Sequence, residues 1–312
     1  VNKKDDIQRL IDYLTGKQPD PTVAPTPTTI PTPTSTPSPT PTIAPPSPTP
    51  IPKDYITVSS ISKLAAVEGY QKIYIEEIES FAYIYITNSN EKVTFSIGKE
   101  DKHETVSEIA DKCDLNPIVV INAGFFDTKN SSVEHFGVLR FDNKEWETVS
   151  VNKHGEDVYT KRVIEANTFI QWSEGTEIKK IANAAEVKDA IWAIGAGYSL
   201  VQNGTIAVET KENKIITAGN DWYTPSARRS RTMFGVNSQG NYIAVVVEKS
   251  MVSRGVNAFE QARIMQQLGA QNAINFDGGG SSTFWYSSLK NKPETKNGKE
   301  REIGSVMMVI PD

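Results

Sequence analysis

Cysteine is nearly absent from this chain: Cys113 is the only one in 312 residues. That excludes an intramolecular disulfide and any cysteine-built metal cluster, and a buried structural thiol is the expectation for Cys113. Histidine is scarce too. His103, His135 and His154 are widely spaced in polar surroundings, a pattern that does not suggest zinc. There is no basic excess: the net charge is −5 and the pI near 5.5, which removes the electrostatic case for nucleic acid or an anionic membrane as partner. No run of about 18 apolar residues occurs, so no transmembrane helix is expected. Nor is there a signal peptide; the chain opens on Val1 rather than Met, as a processed fragment would.

Proline is scarce as well, except in one place. Of 18 prolines, 14 fall within residues 18–53, interleaved with Thr, Ser and Ala and almost no charge. Proline fixes φ and favours extended polyproline II, so this stretch is expected to be a disordered, semi-rigid linker without a core. Its Pro-Thr composition is typical of O-glycosylated stalks between modules of secreted proteins, so an extracellular location is expected. Before the linker, Ile7, Leu10, Ile11 and Leu14 recur at helical spacing and Gly16 can end the helix, giving a short amphipathic segment over 1–17.

The remainder, 54–312, is long enough to bury a core as one domain. Alternation predicts strands at Lys72–Ile78, Phe81–Ile86 and Lys92–Ile97, and continuous apolar runs predict buried strands at Pro117–Ile121 and Ile243–Val247. Val138–Lys144 reads as a hairpin arm, and Val306–Ile310 closes the chain. Helices are expected at 104–113 and 258–268, the second framed by Asn257 as N-cap, Glu260 three residues on, and Gly269 at its end. The expected class is α+β, with a mixed, mostly antiparallel sheet and a few packed helices.

Three strand ends carry residues suited to chemistry. Ala273-Ile274-Asn275-Phe276 leads into Asp277-Gly278-Gly279-Gly280-Ser281-Ser282, which places a carboxylate beside glycines able to approach a ligand closely. The N–H groups of such a loop, with two hydroxyls, can cradle an anion. Ile121-Asn122-Ala123-Gly124-Phe125-Phe126-Asp127 leaves another apolar strand with an amide, two aromatics and an acid. Arg228-Arg229-Ser230-Arg231-Thr232 brings guanidiniums suited to phosphate or carboxylate. Gly195-Ala196-Gly197-Tyr198 precedes Asn203-Gly204, a two-residue hairpin signal. Each has an ordinary alternative as a tight turn, a solvated edge or core packing. Trp222, in a polar run leading into the arginines, is the best candidate among five tryptophans for stacking on a sugar; Trp192 and Trp285 fit the core better.

These four segments, in this order over about 115–310, resemble the phosphodiester glycosidases. The resemblance implies hydrolysis of a sugar-1-phosphodiester, with carbohydrate as substrate. Arg231, the Gly278–Gly280 N–H groups and Ser281 would clamp the phosphate, and Asp277 would act as nucleophile or general base. Asn122 would bind a sugar hydroxyl or orient the carboxylate. Glu248 is the first choice for a second acid, followed by Asp127 and Glu134. Gly124, Phe125, Asp127, Gly195, Gly197, Arg229, Thr232, Ser282 and Trp222 would line the substrate. Acids about 5–5.5 Å apart would indicate retention, and about 6.5–9.5 Å inversion. No cofactor is implied, and a calcium held by carboxylates and carbonyls is left open.

A second, shorter resemblance lies at the other end. Val1 to Leu14 is similar to the second half of a dockerin repeat, which would imply a cohesin scaffold as partner for a complete dockerin. Asp5 matches the last carboxylate of the calcium loop, yet one or two oxygens cannot hold an ion that takes about six to eight. Two other classes compete with the glycosidase. A serine-dependent phosphodiesterase would use Ser281 or Ser282, but there is no Gly-x-Ser-x-Gly elbow. A non-catalytic glycan-binding module would keep the aromatics and Arg231 and tolerate Asp277→Asn.

Overall fold

The computed structural model describes residues 54–98, 103–126, 137–141, 144–147, 167–181, 184–208, 210–211, 214–215, 226–289 and 299–312, all within the unit Thr49–Asp312. The helix expected over 1–17, the linker, Asp127, Glu134, His135, His154 and Trp222 lie outside these residues, as does the Trp146 side chain.

Strands dominate. The largest sheet has eight, in the spatial order β1 (Ile56–Val58), β2 (Gly69–Ile75), β3 (Ser80–Ile86), β16 (Tyr242–Val247), β15 (Arg231–Asn237), β17 (Ala270–Asn275), β11 (Ser199–Gln202) and β12 (Thr205–Ile206). A four-stranded sheet runs β18 (Phe284–Tyr286), β5 (Val119–Asn122), β19 (Ser305–Pro311), β4 (Glu91–Ile97). A five-stranded sheet runs β7 (Lys144–Glu147), β6 (Val138–Phe141), β10 (Trp192–Gly195), β8 (Asn167–Trp172), β9 (Gly175–Lys180). A small pair, β13 (Thr210–Lys211) and β14 (Lys214–Ile215), stands apart. Among the described strands only β1 and β2 pair in parallel. With two α-helices described, α1 (Val106–Asp111) and α2 (Ala258–Gln267), the domain is mostly β rather than a balanced α+β, which corrects the expected class. Alternation underestimated the strands because several, such as β7 and β9, are short and polar.

The period-2 rule explains the layers. Ala273 of β17 faces a cluster with Met233, Val245 and, from α2, Ala262 and Met265. Its neighbour Ile274 faces the opposite way, into a cluster that joins all three larger sheets through Phe234, Ile121, Met307, Phe169 and Trp192. The apolar run at 119–121 exists because β5 is covered on both faces: Val119 and Ile121 enter that central cluster, and Val120 packs under α1 with Val106, Val306 and Met308. Cys113 is half-buried against this last group, less enclosed than expected.

Both helices start with a capping box. Thr105 and Glu108 exchange bonds at α1, and Asn257 and Glu260 at α2. Each box satisfies two donors that the first turn leaves without partners, and the cap residue alone contributes about 1 kcal/mol. Glu260 also takes a bidentate ion pair from Arg228 at 2.5 and 3.0 Å, which ties the start of α2 to the segment before β15. The expected hairpin at Asn203-Gly204 is present, with φ of 50° and 73°, joining β11 to β12.

Candidate active site

The end of β17 is where two sheets meet. Phe276 still donates to the Thr232 carbonyl of the large sheet at 2.9 Å; one residue on, the Asp277 N–H donates to Ala123 beside β5, also at 2.9 Å. Asn122 locks the junction. Its Nδ2 donates to the Asp277 carbonyl at 2.7 Å, and its Oδ1 accepts from the Thr232 hydroxyl at 2.7 Å and the Thr283 N–H at 3.1 Å. Both residues are buried, so Asn122 and Thr232 hold the site's backbone from inside.

Asp277 itself is half-buried. Its Oδ1 accepts from the Gly278 N–H at 2.8 Å, and its carboxylate also takes a hydrogen bond from the Ser281 hydroxyl. Burial pushes its pKa above the ordinary aspartate value. The Ser281 hydroxyl, the Gly278 N–H and the Arg301 and Arg231 guanidiniums pull it down again, but less strongly. The site therefore holds an acid whose charged form is costly, stabilised by two cations drawn from distant parts of the chain.

The glycine loop differs from the expected cradle. Gly278's N–H is taken by Asp277 and Gly279's by the Ser230 carbonyl at 2.8 Å, so two of the three glycine amides are already committed within the protein. Gly279 turns the chain at φ 65°, a region that favours glycine. The loop then winds into a single 3-10 turn, Gly279–Ser281. Ser281 is fully buried. The buried Ser282 and Thr283 hydroxyls find no partner among the described residues, and neither does the amide of buried Asn275.

Arg231 lies beneath this loop, 1 % exposed. Its side chain passes beside Gly278, where a Cβ would sit in ordinary contact with its Cδ at 3.4 Å, and its charge also reaches the buried Tyr198 hydroxyl. It acts on Asp277 from below and does not present itself to solvent. Glu248 is buried and accepts from the Tyr83 hydroxyl at 3.4 Å. Strand alternation carries it to the face of β16 shared with Val246, while Arg231 shares the opposite face with Met233.

Gly124 is buried, its N–H donating to Ser305 at 3.2 Å. Phe125 is half-buried with its ring edge beside Gly197, whereas Phe126 enters the core against His103 and Gly304. Gly195 and Gly197 serve close packing: a Cβ at 195 would meet Gly137 Cα at 2.8 Å, and one at 197 Asn275 Nδ2 at 2.8 Å. Arg229 is exposed at a bridge to Val256. Trp192 is core, as expected, and Trp285 is half-buried over the α1 cluster.

Sequence reasoning missed Arg301. It is exposed, its Nη1 lies 3.4 Å from the Ser281 Oγ, and its charge acts on Asp277. It stands in Lys299-Glu300-Arg301-Glu302, a run that reads as ordinary solvated charge. Among the described residues no group of three or more His, Cys, Asp or Glu is placed to hold a metal ion.

A family model for phosphodiester glycosidase matches residues 116–310. The chain is 32% identical over 94 residues to bovine N-acetylglucosamine-1-phosphodiester α-N-acetylglucosaminidase, and 33% identical over 91 residues to the mouse enzyme. Those stretches cover 30% and 27% of this chain, and only 17% of either enzyme. By fold, the domain is similar to the zebrafish N-acetylglucosamine-1-phosphodiester α-N-acetylglucosaminidase catalytic domain auto-inhibited by its pro-peptide. That likeness has a TM-score of 0.58 at 20% identity, over 81% of this chain and 86% of that one. A hypothetical protein from Synechocystis shares the fold at TM-score 0.50 and 15% identity, over 79% of this chain and 64% of its own. With the junction of two sheets, the glycine loop and the arginines all inside a match that spans more than half its length, this chain belongs to the phosphodiester glycosidase family.

Proposed function

We propose that the domain hydrolyses a sugar-1-phosphodiester with Asp277 as its working carboxylate. The observation that carries this reading is an acid at the sheet junction, raised in pKa by burial and acted on by two guanidiniums. A diester anion brought to such a place meets the accessible cation through its phosphate, and its anomeric carbon is left to the carboxylate. Breaking the bond between that carbon and oxygen sends its electron pair to the phosphate oxygen. This leaving group needs little protonation. What the site supplies is stabilisation of an oxocarbenium-like transition state, from fixed charges that need no reorganisation. Water ends on the sugar, its second proton goes to the phosphate or to solvent, and a phosphomonoester departs. Asp277 serves as nucleophile or as base toward that water, and half-buried Phe125, on the turn after Asn122, lies under the sugar in this reading.

The bovine and mouse enzymes are named for an N-acetylglucosamine-1-phosphodiester, which makes that sugar the first to try. Residues 54–312 incubated with a panel of sugar-1-phosphodiesters and aryl glycosides should release sugar from the diesters alone, with NMR giving the anomer formed. Turnover undiminished in Asp277→Asn would overturn the assignment. Export and attachment to a scaffold are separate proposals, supported by the Pro-Thr linker and by the dockerin-like run at Val1 to Leu14. Failure of the full chain to bind a panel of cohesins would remove the second.

A further inference from the structure

We infer that Arg301 is the residue that takes hold of the substrate's phosphate, an accessible guanidinium laid over the glycine loop by the segment leading into β19. The inference rests on the hydrolysis proposed above and names a role that the loop amides and Arg231 do not fill. Of the two cations acting on Asp277, Arg231 is 1 % exposed and Arg301 is exposed, so only the second can meet a ligand without rearrangement.

Its position is built, not incidental. Ile303 donates to the Glu104 carbonyl at 2.8 Å and Gly304 packs on Phe126, where a Cβ would stand 2.7 Å from the Phe126 Cβ. The chain before β19 is thereby held along the Asn122–Phe126 turn, and Arg301 reaches from it across to Ser281. A Cβ on Gly280 would stand 2.6 Å from Arg301 Nη2 and 2.7 Å from its Cζ. Gly280 has no positive φ, so the backbone does not demand glycine there; the guanidinium occupies the space a side chain would fill.

The remaining donors point to an anion. Arg228, Arg254 and Arg263 are each paired with a carboxylate, whereas among the described residues none stands within ion-pair distance of Arg301. A guanidinium carries five N–H donors, and Ser281 accepts from one nitrogen of this one. The planar fork left over matches two phosphate oxygens. Ser281 stands between Arg301 and Asp277, accepting from the first and donating to the second, so anchoring the phosphate and orienting the acid are one act.

The test compares wild type, Arg301→Ala, Arg301→Lys, Gly280→Ala and the Gly280→Ala/Arg301→Ala double variant, with inorganic phosphate as the binding probe in calorimetry. Removing Arg301 should weaken phosphate binding at least tenfold and lower kcat/KM for a sugar-1-phosphodiester by about 10²–10³, the usual cost of losing one such donor. The melting temperature should hold, because the side chain is exposed. Lysine should recover part of the binding. Gly280→Ala should resemble Arg301→Ala and add little to it, as two routes to one loss. The acid limb of the pH profile should move up in Arg301→Ala, since the lost charge favoured ionised Asp277. Phosphate affinity and kcat/KM within twofold of wild type in Arg301→Ala, with Asp277→Asn inactive, would overturn this inference and leave the proposed reaction standing. Loss of phosphate binding in a protein that turns over no phosphodiester would sustain the anion site and sink the reaction. Wild type that binds no phosphate refutes the site outright.

Discussion

Asn122 gives the sharpest test of how the site is held. Asn122→Ala would strip partners from three buried groups at once: the Asp277 carbonyl, the Thr232 hydroxyl and the Thr283 N–H. Each stranded group costs about 1–3 kcal/mol, and water can enter the vacated volume to meet part of that need, so the net loss should be about 3–5 kcal/mol. Against a domain stability of roughly 5–15 kcal/mol, that is a large fraction. Thr232→Val removes only one of the three contacts and should cost about 1 kcal/mol. Urea denaturation followed by tryptophan fluorescence reads both, with turnover measured per folded molecule alongside. Asn122→Ala should lower the midpoint strongly and also slow catalysis, because the Asp277 main chain loses its tether. If the midpoint stays within about 0.5 kcal/mol of wild type while turnover vanishes, Asn122 acts on the substrate and the structural role argued above is wrong.

Asp277→Asn should be more stable than wild type near neutral pH although inactive. Its folded pKa is raised, so the wild type has its full contribution below the unfolded aspartate value and loses it as pH rises through the folded one. Melting curves should therefore coincide in acid and separate above it; a variant that is less stable at pH 7 and equally so at pH 4 would contradict burial as the dominant cause. Gly195→Ala forces a Cβ to within 2.8 Å of the Gly137 Cα and 3.1 Å of the Val138 nitrogen, both backbone atoms that cannot swing aside. It should cost about 1–3 kcal/mol by calorimetry, with kcat per folded molecule little changed; an unshifted melting temperature would mean that β6 and β10 separate freely.

What the chain revealed before its structure follows from what kind of constraint each residue obeys. The run at 119–121 was readable because a strand covered on both faces must be apolar throughout, and α2 because its cap, its acid three residues on and its closing glycine are local necessities. Asp277 and its glycines were readable for the same reason: turning the chain at φ 65° and bringing backbone close to other atoms restrict the residue type at the spot. Arg231 was found, but its depth was not. Burial depends on what covers β15 from other parts of the chain, and a guanidinium reads alike whether it faces water or lies under a loop. Glu248 was read from its place at the end of a strand and Thr232 from the arginine motif, and neither shows which face it takes, because in strands the face alternates with each residue.

Arg301 marks where local reading ends. Nothing in Lys299-Glu300-Arg301-Glu302 separates it from a solvated run, because its role arises from Ile303 and Gly304 pinning that segment beside a turn some 180 positions earlier. One trace did exist in the sequence. Three glycines in a row exceed what a single positive φ requires, since Gly279 alone turns the chain. Gly278 is hemmed by the Ser230 carbonyl and Arg231, and Gly280 by Arg301. A glycine in surplus of its backbone's need is thus the imprint of a group arriving from elsewhere, the Ser230 carbonyl at Gly278 and the Arg301 guanidinium at Gly280.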